Sequence, residues 1–391
     1  MIYKRIKDVA VLLNGYAFKS KEYVESGIRV IRIANVQDGY ISDEKPCFYP
    51  HSAVDEIDKY MLQEGDLLIS LTGNVGRVGI LTPEFIPAAL NQRVSCIRIK
   101  PDSELDLSFL YYYLLRKQFV RDCIKASKGV AQLNLSTKWL ENYLIPVPDL
   151  ELQKRIVSHI EESLSQLDSA VETLKKTKQQ LDVYRQAVLR EVFSQCEQSV
   201  EIKTVCKHVT DGDHMPPPKA ETGIPFIMIS NINGNTIDWS DTSFVGKEYY
   251  NTIGDKRTPQ KGDVLYTVTG SFGIPVLIDF EKEFCFQRHI ALLRPNEKIE
   301  QEFLYYALQD NIVYAQASKR ATGTAQKTVG LTVLRTIKIP FTTSIEKQSM
   351  MVSIIKNRLS QCDMVEKTVN QSLQQAEALR QSILKQAFEE E

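Results

Sequence analysis

From Glu151 to Phe193 the chain holds no glycine and no proline, and apolar residues return at Ile160, Leu164, Leu167, Val171, Leu174, Leu181, Val188 and Val192. The steps alternate between four and three, with Lys178 and Arg185 filling two polar slots. A period of about 3.5 predicts a long helix with one apolar seam, the pattern of a coiled coil. The same slots return near the C-terminus as Ile355, Leu359, Cys362, Glu366, Val369, Leu373, Ala376, Arg380, Ile383 and Ala387. A lone helix of about 40–45 residues leaves its seam in water, forgoing roughly 25 cal/mol per Å² of apolar surface. Two such helices bury each other's seams; the alternative is that each packs on its own globular region. The link "SQCEQSVEI" after Phe193 reaches only about 30 Å when extended. Mutual pairing is therefore predicted to be antiparallel.

Ahead of each helix the texture changes. "IRVIRI", "DLLISLT" and "VSCIRIK" combine β-branched residues with partial alternation and read as strands. "ELDLSFLYYYLLRKQFVRDCIKAS" reads as one helix.

This plan occurs twice. "GIRVIRIANV" (27–36) meets "GIPFIMISNI" (223–232), and "GDLLISLTGNVGRVGIL" (65–81) meets "GDVLYTVTGSFGIPVLI" (262–278). Gln92-Arg93 matches Gln287-Arg288, "FLYYYL" matches "FLYYAL", and "GVAQ" (129–132) matches "GTAQ" (323–326). The nearly constant shift makes this a tandem duplication of a domain-sized unit. Four segments are expected: globular regions at 1–148 and 196–343, and long helices at 149–195 and 344–391. The expected class is α+β, with two similar mixed α/β heads, two helices pairing antiparallel, and a pseudo-two-fold relation.

The glycine segments lack the G-x-x-x-x-G-K-[ST] of a phosphate-binding loop and are followed by extended sequence. They read as strand, tight turn, strand, with Gly73/Gly76 and Gly270/Gly273 allowing positive φ. Either the glycines serve the turn alone, or the turn presents Asn74, Arg77 and Ser271 to a partner. "TDGDHMPPPKAETGIPF" (210–226) invites a metal reading of Asp211, Asp213 and His214, but no further ligands converge. Its three prolines form a stiff arm that holds His214 and Lys219. The first copy has "LNGYAFKSKEYVESGIRV" there, so the two heads contact different things. "ASKGVAQLNLSTKWLENY" and "ASKRATGTAQKTVGLTVL" offer Lys128, Gln132, Asn134, Arg320, Gln326 and Lys327 for phosphate or base edges, or are simply solvated loops.

No adenine-methyltransferase Asn/Asp-Pro-Pro-aromatic motif, Walker sequence, nuclease carboxylate–lysine spacing or G-x-S-x-G occurs. Catalytic, cofactor-binding and metal residues are therefore expected to be none. Seven cysteines without a C-x-x-C, no signal-peptide pattern and no membrane-length apolar run suggest a cytoplasmic protein. A net charge of −1 is low for a chain that wraps nucleic acid alone. Basic groups are then clustered, or a partner shares the backbone grip.

The order head, helix, head, helix, with "GIRVIRIANVQDGYI", "GDLLISLTGNVG", "NQR", "FLYYYL" and "GVAQLNLS…LIPVPDLELQKRI", then "DGDHMPPPK", "GIPFIMISNING" and "GDVLYTVTGSFG", resembles the specificity (S) subunit of type I restriction-modification enzymes over essentially the whole chain. At the second helix junction "IPFTTSIEKQ" departs from the proline-rich pattern. The resemblance implies two target recognition domains reading a bipartite, asymmetric site in double-stranded DNA. The helices would act as spacer. Two methyltransferase (M) subunits and restriction/translocase (R) subunits would be partners, with S-adenosylmethionine, ATP and Mg bound only by them. Candidate DNA contacts, chosen for chemistry near repeated turns, are Lys19, Lys21, Asn35, Thr72, Asn74, Arg77, Gln92, Arg93, Lys128, Gln132 and Asn134. In the second copy they are His214, Lys219, Asn231, Thr269, Ser271, Gln287, Arg288, Lys319, Arg320, Gln326 and Lys327. Competing readings are the specificity component of another multisubunit restriction-modification type, a self-contained DNA methyltransferase, and a scaffold that binds only protein.

Overall fold

Leu67, Leu68, Ile69 and Ser70 form a strand that is buried throughout. Alternate side chains serve opposite faces. Leu67 and Ile69 enter a core shared with the helices, and Leu68 enters a second core on the other face. That double burial is why the stretch is apolar without alternation. The computed structural model describes residues 2–129, 132–324 and 326–389. Val130 and Ala131 of "GVAQ" and Ala325 of "GTAQ" lie outside the described residues.

In the first head, Leu67–Ser70 is flanked by Val78–Ile80 and Val94–Ile99, with Ala10–Asn14 outermost, all antiparallel. The second head repeats the order with Cys206–Asp211, Ile290–Pro295, Val264–Thr267 and Pro275–Leu277. Each head adds a small mixed sheet: Ile28–Ile31 runs parallel to Ala88–Leu90, and Ile224–Ile227 runs parallel to Cys285–Phe286. Among the described residues, only the second head has an extra edge strand, Lys219–Ala220, which ends the proline arm.

The stretch expected to be one helix is two, Leu107–Leu114 and Lys117–Ala126. Arg116 between them is extended, and its guanidinium lies 3.6 Å from the centroid of the Tyr113 ring and 5.1 Å from that of Phe388. The extended residue thus sets its guanidinium against two rings, one local and one distant in sequence. The second head breaks likewise, with Asp310 accepting from Ile312 N at 2.8 Å as the cap of Asn311–Arg320.

The long helices run Leu150–Phe193 and Ile345–Glu389. The second junction, despite its different sequence, is built like the first. Asp149 accepts from Leu152 N at 2.9 Å, and Ser344 accepts from Lys347 N at 3.1 Å. Gln153 and Gln348 are fully buried. Gln153 accepts from Asp106 N and donates to Glu104 O and Pro148 O. Gln348 accepts from Glu300 N and donates to Lys298 O and Thr342 O.

Two compact units result, Met1–Leu174 with Gln371–Glu391, and Lys175–Asn370. They divide each long helix, whereas the sequence suggested separate head and helix segments. The physical reason is packing: Ile156, Ile160, Leu384 and Phe388 join the first head's core, and Val192, Phe193, Met351 and Ile355 join the second's. Helix thus packs on head as well as on helix. In the first unit Arg380 pairs with Asp168. In the second, Lys178 donates to Asn370 at 3.1 Å, Arg185 pairs with Asp363, and Arg358 pairs with Glu191 at 2.7 Å. Partners descend on one helix as they ascend on the other, so the pairing is antiparallel.

Candidate nucleic-acid interface

Three segments converge in each head. The first is the glycine turn, with Gly73 at φ 72° and Gly270 at φ 69°. A hydroxyl at the end of the preceding strand ties it down: Ser70 Oγ accepts from Arg77 N at 3.1 Å, and Thr267 Oγ1 from Ile274 N at 2.9 Å. The second is the turn before Val94 or Ile290. The third is the loop that follows the helix pair.

In the first head Gly73 N donates to Leu133 O at 2.8 Å, Thr72 Oγ1 lies 3.2 Å from Asn134 Oδ1, and Lys128 and Asn134 bridge each other. Leu71 N donates to Arg93 O at 3.0 Å. Thr72, Asn74, Gln92, Arg93, Lys128, Gln132 and Asn134 therefore gather on one surface, most of them exposed. Arg77 sits beside them but is engaged by Gln37 at 2.9 Å and Asp38 at 3.7 Å.

The second head repeats the arrangement. Gly270 N donates to Lys327 O at 2.9 Å, and Thr269 and Thr328 hydroxyls are 3.3 Å apart. A cleft of about 600 Å³ is lined by Thr269, Ser271, Gln287, His289 and Gln326. An adjoining cleft of about 360 Å³ brings in His214, Lys219 and Arg288 beside Met215 and Pro216 of the arm. Thr269 is buried, so its hydroxyl mainly braces the loop.

Several expectations change. Asn35 and Asn231 are each 4% exposed and are consumed by backbone. Asn35 accepts from Arg32 N and donates to Ser42 O, and Asn231 accepts from Met228 N and donates to Asp241 O. With the amide buried and turned to backbone at both ends, neither side chain is placed to contact DNA. Arg320 donates to Thr336 Oγ1 at 2.6 Å, and it and Lys319 end a helix rather than line either cleft. Lys19 and Lys21 lie on a separate exposed turn, where Lys19 pairs with Glu22 at 3.5 Å. His214 faces Asp211 at 2.8 Å, with Arg257 on the other carboxylate oxygen, and Asp213 accepts from Tyr249. The Asp211 carboxylate is thus an ion-pair partner, and among the described residues no cluster of three His, Cys, Asp or Glu is placed to hold a metal.

The hydrogen bonds also shift the equivalence of the second turn by one residue. Gln92 N donates to Tyr16 O and Val94 N to Asn91 O; Arg288 N donates to Asp213 O and Ile290 N to Gln287 O. Val268 N donates to His289 O at 2.9 Å, as Leu71 N does to Arg93 O. Asn91, Gln92 and Arg93 thus correspond to Gln287, Arg288 and His289, whereas sequence identity pairs Gln92-Arg93 with Gln287-Arg288. His289 was missed on that account. Gly15 and Gly212 were missed too, although both lead into the turn contact. A Cβ on Gly15 would lie 2.2 Å from the backbone of Asn91, and one on Gly212 2.0 Å from Phe286 O. Aligning "LNGY" with "TDGD" is the signal that finds them.

Residues 2–183 and 198–375 both match the family model described as the type I restriction modification DNA specificity domain. The chain belongs to that family. This specificity chain is 28% identical over 416 residues to the type I restriction enzyme EcoBI specificity subunit of Escherichia coli, covering 97% of this chain and 84% of that one. It is 30% identical over 189 residues to the type I restriction enzyme MjaVIII specificity subunit of Methanocaldococcus jannaschii, covering 47% of this chain and 43% of that one. Its fold resembles a solved chain described under the complex assembly and conformational transition of the type I R-M system, with TM-score 0.68, 19% identity and coverage of 99% and 97%. A specificity chain is a DNA-recognition component, and the catalytic activity of such a system lies in partner subunits.

Proposed function

We propose that this specificity chain reads a bipartite, asymmetric site in double-stranded DNA, one half with each head, and positions two methyltransferase subunits on it. Restriction/translocase subunits join the same assembly for cleavage. The observation that carries this reading is the convergence of the same three segments in both heads, bearing different side chains. Equal scaffolds give two readers, and unequal side chains give two different half-sites. S-adenosylmethionine, ATP and Mg are the partners' ligands in this reading, and the complex works in the cytoplasm beside host DNA. No helix among the described residues is long and apolar enough to cross a membrane. The net charge of −1 suits a chain whose partners close around the duplex and share the phosphate contacts.

Mapping methylated adenines made by the assembled methyltransferase, with footprints of the same complex, tests the proposal. Two short base clusters separated by an indifferent gap are expected. One contiguous cluster overturns it. Calorimetry of the chain alone should show no S-adenosylmethionine binding; saturable binding would favour a self-contained methyltransferase.

A further inference from the structure

The one-residue shift at the second turn changes which side chains are equivalent. Arg93 and His289 each follow the residue whose backbone N–H closes on the Gly15 or Gly212 segment, and each offers its carbonyl to the residue after the central strand. Their Cα positions are therefore fixed by the same hydrogen bonds in both heads, at the meeting point of all three segments.

The surroundings select the ligand chemistry. His289 lines several clefts, and those on one side of it bring in Asp211, Asp213, Lys219 and Arg288. In the one it shares with Ser271 and Gln326, the polar lining among the described residues is hydroxyls, amides and this imidazole, with no Asp, Glu, Lys or Arg. A phosphate gains little from such a lining, because its affinity comes from cations. Base edges, which present donors and acceptors side by side, suit it. Arg288, one residue earlier, is exposed and lies outside that cleft. Arg93 is exposed, and among the described residues its guanidinium has no hydrogen-bond or ion-pair partner.

Resting on the reading above, we propose that Arg93 and His289 are the matched base-reading side chains of the two heads, and that Arg288 grips the phosphate backbone beside His289. The guanidinium of Arg93 presents a fork of donors suited to guanine O6 and N7. Burial and the neighbouring Arg288 hold the pKa of His289 below its ordinary value, which keeps the ring neutral, with one donor and one acceptor. Equivalent places in the two heads thus ask for different edges, which makes the half-sites unlike.

The test uses the assembled methyltransferase on a library of randomised duplexes, with sequencing of the methylated products. His289→Gln and His289→Arg should each change the preference at one base pair by about tenfold or more, within one half-site only. Arg93→His and Arg93→Gln should do so in the other half-site only. Arg288→Ala should lower methylation of all sequences together and flatten its salt dependence. Variants that assemble yet keep the wild-type preference everywhere, that change both half-sites at once, or that bind no duplex overturn the proposal. A wild-type complex with no two-part site would instead defeat the function it rests on.

Discussion

The guanidinium of Arg185 lies 3.0 Å from the carboxylate of Glu366, and each occupies a seam position where an apolar residue belongs. Lys178, the other polar slot of the first helix, reaches the same carboxylate at 3.7 Å. Both interruptions of the first helix therefore meet one interruption of opposite charge on the second, while Arg380 on the second pairs with Asp168 outside the seam. Polar seam positions specify alignment at a cost in stability, because any other register leaves them unpaired. Arg185→Glu should destabilise the second unit by about 1–2 kcal/mol, since it adds a fourth carboxylate to those of Asp182, Asp363 and Glu366. Adding Glu366→Arg should recover part of that loss. Urea unfolding of the four combinations measures the coupling, and strict additivity would remove the pairing from the account.

Gln153 and Gln348 each use all three of their hydrogen bonds to hold a head on the start of a long helix. Truncation strands one N–H and two carbonyls in the interior. Gln153→Ala and Gln348→Ala should each cost about 2–4 kcal/mol. Hydrogen exchange should show the loss confined to the unit that carries the substitution. A spread over both units, or a change under about 0.5 kcal/mol, would contradict the clamp.

The seam, the duplication and the central strands were legible because each is written locally: a period near 3.5, a repeated phrase, a run of β-branched and aliphatic residues. The unbroken apolar run in "DLLIS" reflects two cores meeting on one strand, which a strand reading accommodates. Three features needed the tertiary structure. The helix break at Arg116 has no glycine or proline to announce it, and one of the rings its guanidinium meets, Phe388, is distant in sequence. Asn35 and Asn231 look like surface amides until the carbonyls of Ser42 and Asp241 are found within reach. The turn equivalence was misplaced because "QR" occurs in both copies, and only backbone hydrogen bonds show that the identical letters stand one position apart. Ser344 doing the work of Asp149 shows the reverse case, in which unlike sequence makes the same helix start.

Gly15 and Gly212 sit where backbone meets backbone, and neither Asn91 nor Phe286 has a flexible side-chain end there to move aside. Gly15→Ala and Gly212→Ala should each destabilise their own head by about 1–3 kcal/mol and weaken its half-site. Gly246 supplies the control. A methyl group added there would meet nothing within 4 Å, and its φ is −67°, so Gly246→Ala should be nearly silent. Thermal unfolding that fails to separate the two glycines from Gly246 would refute the close approach.

The neutral ring of His289 makes the second head sensitive to acid. Its pKa is held below the ordinary 6.5 first by burial and then by Arg288, and His214, Asp213 and Lys219 line the neighbouring cleft. Between the lowered value and 6.5 the unfolded chain binds the extra proton and the folded chain does not. The stabilisation is therefore whole above about pH 6.5 and is lost as pH falls through and below that value. His289→Gln keeps a neutral donor and acceptor but cannot titrate. The difference in melting temperature between about pH 7.5 and about pH 5.5 should be smaller in this variant than in the wild type. His214→Gln, at an exposed site paired with Asp211, should leave the His289 contribution in place. An unchanged pH dependence in His289→Gln would show that the ring is protonated without cost, and would remove neutrality from the base-reading chemistry assigned to it.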